Sequence, residues 1–234
     1  MCGKVTTVAW TDSIVDLAWG CTKVSDGCDK CIMFRRSPLY GRNPEEIKYF
    51  SIDNARKRIS TYGQRIFVNI DTDTFHEKHP IEVIQAWFDL FASFPEKQFQ
   101  ILTKRSGRML QYFKDNDCPT NCWIGVSIED QGHLFRLEAL RRVPARIHFV
   151  SFEPLLGPIV EPNLDGIEWV IIGGESDSRA PRPMNPEWAQ GIVDYAQKFY
   201  PKCAVFFKQH GGKGGDNAGG NVLFGKTYMA FPSF

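Results

Sequence analysis

Three cysteines near the beginning of the chain, Cys21, Cys28 and Cys31, stand in the run Gly-Cys-Thr-Lys-Val-Ser-Asp-Gly-Cys-Asp-Lys-Cys, and no fourth follows nearby. A structural zinc ion is closed by four protein ligands, whereas a metal or cluster held by three thiolates keeps a position open for a substrate or cofactor. Cys28 and Cys31 have the Cys-x2-Cys spacing shared by zinc knuckles and iron–sulfur sites, and Gly27 lets the chain turn tightly just before them. Zinc would need a distant fourth ligand such as His76 or His79, or an open catalytic position. Spacing alone does not choose between the metals. Cys2, Cys118, Cys122 and Cys203 are scattered and receive no role, since free cysteine commonly packs as a small hydrophobe.

The elements that must position such a loop follow a rhythm starting near residue 64, in which short β-branched or aromatic runs end in polar residues and lead into helical patterns. The first three runs are 65–70 ending in Asp71 and Asp73, 98–102 ending in Thr103 and Lys104, and 123–126 ending in Ser127, Glu129 and Asp130. Three more are 147–150 ending in Ser151 and Glu153, 168–172 ending in Gly173, Gly174 and Glu175, and 204–207 ending in Lys208, Gln209 and His210. Helices are expected over 81–94, 106–113, 131–142 and 186–199. Strand–helix alternation with apolar strands implies an α/β fold, a partial (β/α)6-type TIM-like barrel of parallel strands with outer helices, or failing that an open doubly wound sheet. Six clear strands plus one near the cysteines are expected. Active sites of such folds lie beyond the carboxyl ends of the strands, so the polar ends and the cysteine loop at 20–32 fall on one rim. Taken singly, an Asp, Ser or Thr after a strand is a helix cap and Gly-Gly-Glu a tight turn.

The chain has 234 residues, 43% of them hydrophobic and 24% charged, which suits one globular domain over 1–234. A formal net charge of +1 supplies no global field toward duplex DNA or an anionic membrane. No apolar run approaches the about 18 residues of a membrane span, and the first residues contain no signal-like apolar stretch. An odd count of seven cysteines argues for a reducing compartment, so a cytoplasmic protein is expected. The glycine-rich stretch 211–221 reads as a lid or linker before a short C-terminal extension.

Trp10-Thr-Asp12, the cysteine run, Phe75-His76, Gln100-Ile-Leu-Thr-Lys-Arg105, Trp123-Ile-Gly-Val-Ser-Ile-Glu-Asp130, Phe149-Val-Ser-Phe-Glu-Pro-Leu-Leu-Gly157, Ile172-Gly-Gly-Glu-Ser176 and Phe206-Phe-Lys-Gln209 occur in order along nearly the whole chain. Together they resemble the three-cysteine-motif family common in phages and prokaryotes, which is radical SAM-like. Two positions depart from that pattern: Ile32 stands where an aromatic residue typically follows the third cysteine, and Ile70-Asp-Thr-Asp73 stands for the usual Ser-Met-Ser-Asp.

The resemblance implies that Cys21, Cys28 and Cys31 hold three irons of a [4Fe-4S] cluster while S-adenosylmethionine binds the fourth. An external reductant then drives cleavage to a 5′-deoxyadenosyl radical that abstracts hydrogen from a nucleotide or nucleobase, rearranging a modified pyrimidine in phage DNA as one form. It implies that Asp73, Thr103, Lys104, Ser127, Glu153, Gly173, Gly174 and Glu175 hold the cofactor. Lys104, Glu129 and Lys208 then act at the reacting groups, with Asp71, Arg179, Arg182 and Gln209 facing substrate; the competing readings are that Lys104 pairs with a neighbouring carboxylate and that the arginines make ordinary surface salt bridges. For a phage-encoded chain the compartment would be the host cytoplasm. The competing function is a zinc-stabilised nucleic-acid-binding module without catalysis, which the aromatic richness and the Gly-Lys tail favour and the neutral net charge disfavours.

Overall fold

Short runs rich in Val, Ile, Phe and Trp pair in chain order in the computed structural model, which describes residue 6 and residues 8–176, 179–214 and 218–233. Cys2 and positions 215–217 of the glycine-rich stretch lie outside the described residues. Strand β1 (Ser13–Val15) is followed by a small ribbon of β2 (Ala18–Trp19) with β3 (Lys48–Tyr49), and between these two come the cysteine loop and helix α1 (Ile32–Arg36). Helix α2 (Ile52–Ile59) leads to β4 (Arg65–Val68), α3 (Ile81–Ala92), β5 (Gln98–Thr103), α4 (Ser106–Phe113) and β6 (Cys122–Ser127). Then come α5 (Phe135–Leu140), β7 (Ile147–Phe152), β8 (Trp169–Gly173), α6 (Pro186–Phe199) and β9 (Ala204–Gln209). A last ribbon joins β10 (Val222–Leu223) to β11 (Lys226–Thr227).

Strands β1 and β4 to β9 form one seven-stranded sheet in the order β1-β4-β5-β6-β7-β8-β9, every neighbouring pair parallel, curled into a half-barrel. The expected six strands plus one are therefore present. Two expected features differ. The helix expected over 131–142 begins as a 3-10 turn, Gln131–His133, because the Asp130 side chain accepts from Gly132 N at 2.8 Å; α5 follows separately. Between β7 and β8 no helix forms, and residues 153–168 carry Pro154, Pro158 and Pro162, which remove the donors a helix needs. Helix α2 was missed in the sequence; its start is fixed by Ser51, whose hydroxyl accepts from Asn54 N at 3.3 Å.

Alternation along each strand sorts the side chains into two layers. Ile66, Val68, Phe99, Ile101, Ile124, Val126, Val150, Phe152, Val170, Ile172, Val205 and Phe207 point outward and pack with the helices. Phe67, Trp123, Phe149, Trp169, Ile171 and Phe206 point inward and, with Val8 and Trp10, fill the bottom of the half-barrel. Trp10 meets Phe67 edge-on at 4.6 Å, and Trp123 meets Trp169 edge-on at 5.8 Å. The C-terminal extension seals this floor. It runs beside β9, with Ala230 N donating to Val205 O at 3.1 Å and the Trp169 indole donating to Ala230 O at 2.9 Å. Phe231 lies 5.2 Å from Trp169 and under the Arg65 guanidinium at 3.9 Å, so the tail reaches the opposite side of the sheet.

Gly125 of β6 stands opposite Phe149 of β7, and a Cβ there would come within 2.6 Å of three atoms of the Phe149 ring. Gly125→Ala is expected to cost about 1–3 kcal/mol through forced repacking of that ring. Urea denaturation should show a lower midpoint with an unchanged slope.

Candidate active site

A cavity of about 770 Å³ opens at the carboxyl-terminal rim of the half-barrel, a size typical of small-molecule sites. Its wall obeys the strand alternation: Ile14 and Asp16 at β1, Phe67, Leu102 and Lys104, Ser127, Ser151 and Glu153, and Lys208. Gly27, Lys30 and Cys31 of the cysteine loop form one side, and Gly174, Glu175, Ser176 and Gly214 another. Trp10 lies at the floor, and its buried indole Nε1 has no acceptor among the described residues. Of the residues expected from sequence, Cys31, Asp71, Lys104, Ser127, Glu153, Gly174, Glu175 and Lys208 line this cavity. Cys21, Cys28, Asp73, Thr103, Glu129, Gly173, Arg179, Arg182 and Gln209 are not among its lining residues.

Asp73 and Thr103 serve the protein itself. Thr103 points outward by alternation, and its hydroxyl donates to Asp73 Oδ1 at 2.7 Å. Asp73 also accepts from Phe75 N at 2.9 Å, Lys104 N at 3.1 Å and Arg105 Nη1 at 3.2 Å. Arg105, 5% exposed, uses its remaining donors on the cysteine loop and on Glu77. Nη1 approaches Cys21 Sγ at 3.6 Å, Nη2 donates to Thr22 O at 2.8 Å and Thr22 Oγ1 at 2.9 Å, and Nε donates to Glu77 at 2.8 Å. Arg105 ends the run Gln100-Ile-Leu-Thr-Lys-Arg105, and its partner Cys21 lies 84 positions away, beyond any local pattern.

A second anchor holds Cys28. Glu129 is fully buried, and it accepts from Ser25 Oγ at 2.6 Å and from Arg136 Nη1 at 2.7 Å. Lys104 Nζ lies 3.7 Å from the same carboxylate, and the Ser25 hydroxyl is 4.0 Å from Cys28 Sγ. Gly27 is required here, because a Cβ would stand 2.5 Å from Glu129 Oε1. Glu129, expected at the reacting groups, thus positions the loop, while Lys104 both pairs with it and reaches the cavity. Burial pushes the Cys21 thiol up to about 11 against the opposing pull of Arg105, and burial likewise raises Cys31.

The other strand ends are paired across the cavity. Lys208 Nζ lies 3.2 Å from Glu153, which also accepts from Ser151 Oγ at 3.1 Å. Gly173 leaves room for that carboxylate, since a Cβ would come within 2.5 Å of Glu153 Oε1. Glu175 accepts from Arg182 N at 2.8 Å and Nε at 3.1 Å, so Arg182 is turned toward Glu175. Gln209 is buried behind Gly174 and Arg179 is exposed. Lys30 Nζ donates to Ala180 O, which ties the segment after β8 to the cysteine loop. His76 Nε2 is 2.9 Å from Thr22 Oγ1, and His79 packs edge-on against Trp87 at 4.9 Å with its pKa lowered to about 4 by burial.

Asp16 escaped the sequence reading because β1 was not delimited there. Its Oδ1 accepts from Asp71 N at 3.1 Å. Burial, then the Asp71 charge, raises its pKa to about 6. Burial also raises Asp71, opposed by Arg36 and Arg42.

Over residues 5–232 the sequence matches the family described as protein of unknown function, DUF5131. The chain belongs to this family. No curated protein matches it. Among solved structures, "Spore photoproduct lyase complexed with dinucleoside spore photoproduct" is similar with a TM-score of 0.57 at 13% identity, covering 82% of this chain and 75% of that one. The likeness is one of fold, a partial barrel of parallel strands.

The three thiols of this DUF5131 chain do not gather as a single-ion site. A tetrahedral zinc holds its sulfurs about 3.8 Å apart, and no three His, Cys, Asp or Glu among the described residues are close enough to hold one metal ion. A cluster asks for something else, because each thiolate binds a different iron. The three cysteines share one loop, and Cys31 lines the cavity.

Two outcomes follow for the DUF5131 chain. Arg105→Met leaves the Asp73 carboxylate buried without its cation and is expected to cost about 3–5 kcal/mol. Adding Asp73→Asn should restore part of that loss in a double-mutant cycle read by urea denaturation, with faster amide exchange across 21–31 in the single variant. For Asp16 the folded pKa, about 6, lies above the ordinary aspartate value of 3.8, so its contribution is fully present below pH 4 and lost as pH rises through 6. Asp16→Asn should therefore stabilise the chain at pH 8 by up to about 3 kcal/mol and by little at pH 4, measured by urea midpoints at the two pH values.

Proposed function

We propose that the chain is a radical SAM enzyme in which Cys21, Cys28 and Cys31 hold a [4Fe-4S] cluster and S-adenosylmethionine binds at the fourth iron. Its substrate in this reading is a nucleotide or nucleobase, with rearrangement of a modified pyrimidine in phage DNA as the specific form. The observation that carries the reading is the cysteine loop, fixed at the carboxyl-terminal rim of a seven-stranded half-barrel, with Cys31 opening onto a cavity walled by polar strand ends. Fold likeness to a spore photoproduct lyase bound to a dinucleoside supports both the cofactor and the substrate class.

When bound, the cluster and S-adenosylmethionine supply one-electron cleavage of the sulfonium by an external reductant, and so a carbon radical that abstracts hydrogen. The protein contributes position, charge and dryness. Arg105 and the Ser25–Glu129 pair hold the cysteine loop, as their hydrogen bonds to it describe. Ser127, Ser151 and Glu153 offer hydrogen bonds to the bound molecules, and Lys104 and Lys208 balance their carboxylates. Trp10, Phe67 and Leu102 make an apolar floor that keeps water from the reacting atoms.

Anaerobic reconstitution with iron and sulfide should give a brown protein that, with dithionite and S-adenosylmethionine, releases methionine and 5′-deoxyadenosine. Cys28→Ala should lose both iron and cleavage. A fully loaded protein that releases neither product sinks the proposal, and one colourless zinc per chain would favour a non-catalytic module.

A further inference from the structure

Charge is unevenly distributed along this nearly neutral chain. Segment 30–65 holds nine lysines and arginines against three acidic residues, although the whole chain has a net charge of +1. The cationic side chains Arg36, Arg42, Lys48, Lys57 and Arg58 are exposed. Large apolar side chains of the same segment are exposed beside them, Leu39 at 76%, Tyr40 at 65%, Tyr49 at 46% and Phe50 at 40%. Exposed aromatic faces interleaved with arginines match what single-stranded nucleic acid binds: bases stack on the rings and phosphates pair with the guanidinium groups.

The segment is built as a strap along the entry to the cysteine loop. Phe50 N donates to Leu17 O at 2.9 Å, Lys48 pairs with Trp19 in the small ribbon, and Cys21 N donates to Pro44 O at 2.8 Å. The Arg42 guanidinium lies over Trp19 at 4.8 Å and near Tyr40 at 5.9 Å, a stacked arrangement that leaves its edge for a phosphate. The patch also runs into the cavity, where Arg36 and Arg58 line the wall with Tyr62, whose hydroxyl accepts from Arg58 Nε at 2.8 Å. Acidic groups oppose part of this charge: Asp71 faces Arg36 and Arg42, Asp16 feels Arg58, and Glu46 lies 3.6 Å from Lys48. The excess remains positive.

We infer that the substrate nucleotide is presented within a single-stranded nucleic acid. Its phosphodiester backbone lies along Arg42, Arg36 and Arg58, neighbouring bases stack on Tyr40 and Tyr49, and the target nucleotide turns into the cavity past Arg36 and Arg58. This rests on the reading above that the cavity takes a nucleotide, and it selects the polymer over the free monomer.

Fluorescence anisotropy on the full chain tests it with a labelled 12-nucleotide single-stranded DNA, the matching RNA, a DNA duplex and a labelled mononucleotide. Single strands should bind more tightly than duplex and mononucleotide. Three phosphate contacts predict a log–log salt slope of about −2, a loss of about 20-fold between 50 and 200 mM salt. Arg42→Ala and Tyr40→Ala should each weaken single-strand binding about five-fold or more, with melting temperature and iron loading as in the parent. Equal binding of mononucleotide and single strand, indifferent to both substitutions, overturns the inference, and so does binding only to phosphatidylserine vesicles. A chain that cleaves S-adenosylmethionine but ignores single strands fails here alone. One that binds strands without cleaving fails the radical reading alone.

Discussion

The buried guanidinium of Arg105 fixes the relation between the cysteine loop and the barrel. The backbone ties of the loop to the rest of the chain are Gly20 N to Asp71 O and Cys21 N to Pro44 O; the others are local turns, Cys28 N to Ser25 O, Asp29 N to Asp26 O and Cys31 N to Cys28 O. Without side-chain anchors such a segment would have many conformations. Arg105 supplies four loop and rim partners from one planar group, and a lysine, with a single point of charge, could not reproduce that fork. A cation buried this deeply is stable only while Asp73 and Glu77 face it. Thr103, which fixes Asp73, therefore contributes to the cysteine geometry without approaching the cavity.

Burial divides the carboxylates of the rim into different kinds of work. Asp73 and Glu129 each meet an arginine directly, Arg105 and Arg136; Asp73 reaches the cysteine loop through Arg105, whereas Glu129 accepts the Ser25 hydroxyl of that loop itself. Glu153 and Glu175 meet Lys208 and Arg182 while still bordering the cavity. The first pair sets the shape of the loop and the second sets the charge seen inside.

How far this arrangement could be read from the sequence depended on the range of the interaction. The strand count follows from the succession of apolar runs and helical patterns, and the cavity positions of Lys104, Ser127, Glu153 and Lys208 follow from alternation within a strand, a pattern of period two visible in any short run. Asp73, Thr103 and Glu129 had the right chemistry at the right strand ends, yet local sequence could not say that their partners would be Arg105, Ser25 and Arg136. Ser25 and Glu129 are 104 positions apart, and only the fold brings them together. Asp16 was hidden for another reason: β1 spans only Ser13–Val15, too short for its alternation to be recognised. The broken alternation at 153–168 was written in its prolines, but the regularity of the neighbouring units obscured it.

Asp16 differs from Asp73, Glu129, Glu153 and Glu175, each of which faces a lysine or arginine directly. Its hydrogen bonds come from the backbone N–H groups of Ile70 and Asp71, the Asp71 carboxylate raises its pKa, and the Arg58 charge is the weakest of the influences on it. Holding it ionised at neutral pH costs the fold about 3 kcal/mol by the size of its shift. An apolar residue of the same volume would avoid that cost, as buried ionic groups elsewhere show when replaced. The fold nevertheless places this acid on the wall of its cavity, opposite the paired Lys208 and Glu153. Strained charge of this kind concentrates where binding or chemistry requires it. The polarity of the cavity is therefore two-sided: compensated ion pairs on the β7–β9 wall, and a poorly compensated acid at β1 next to the arginines of the basic flank.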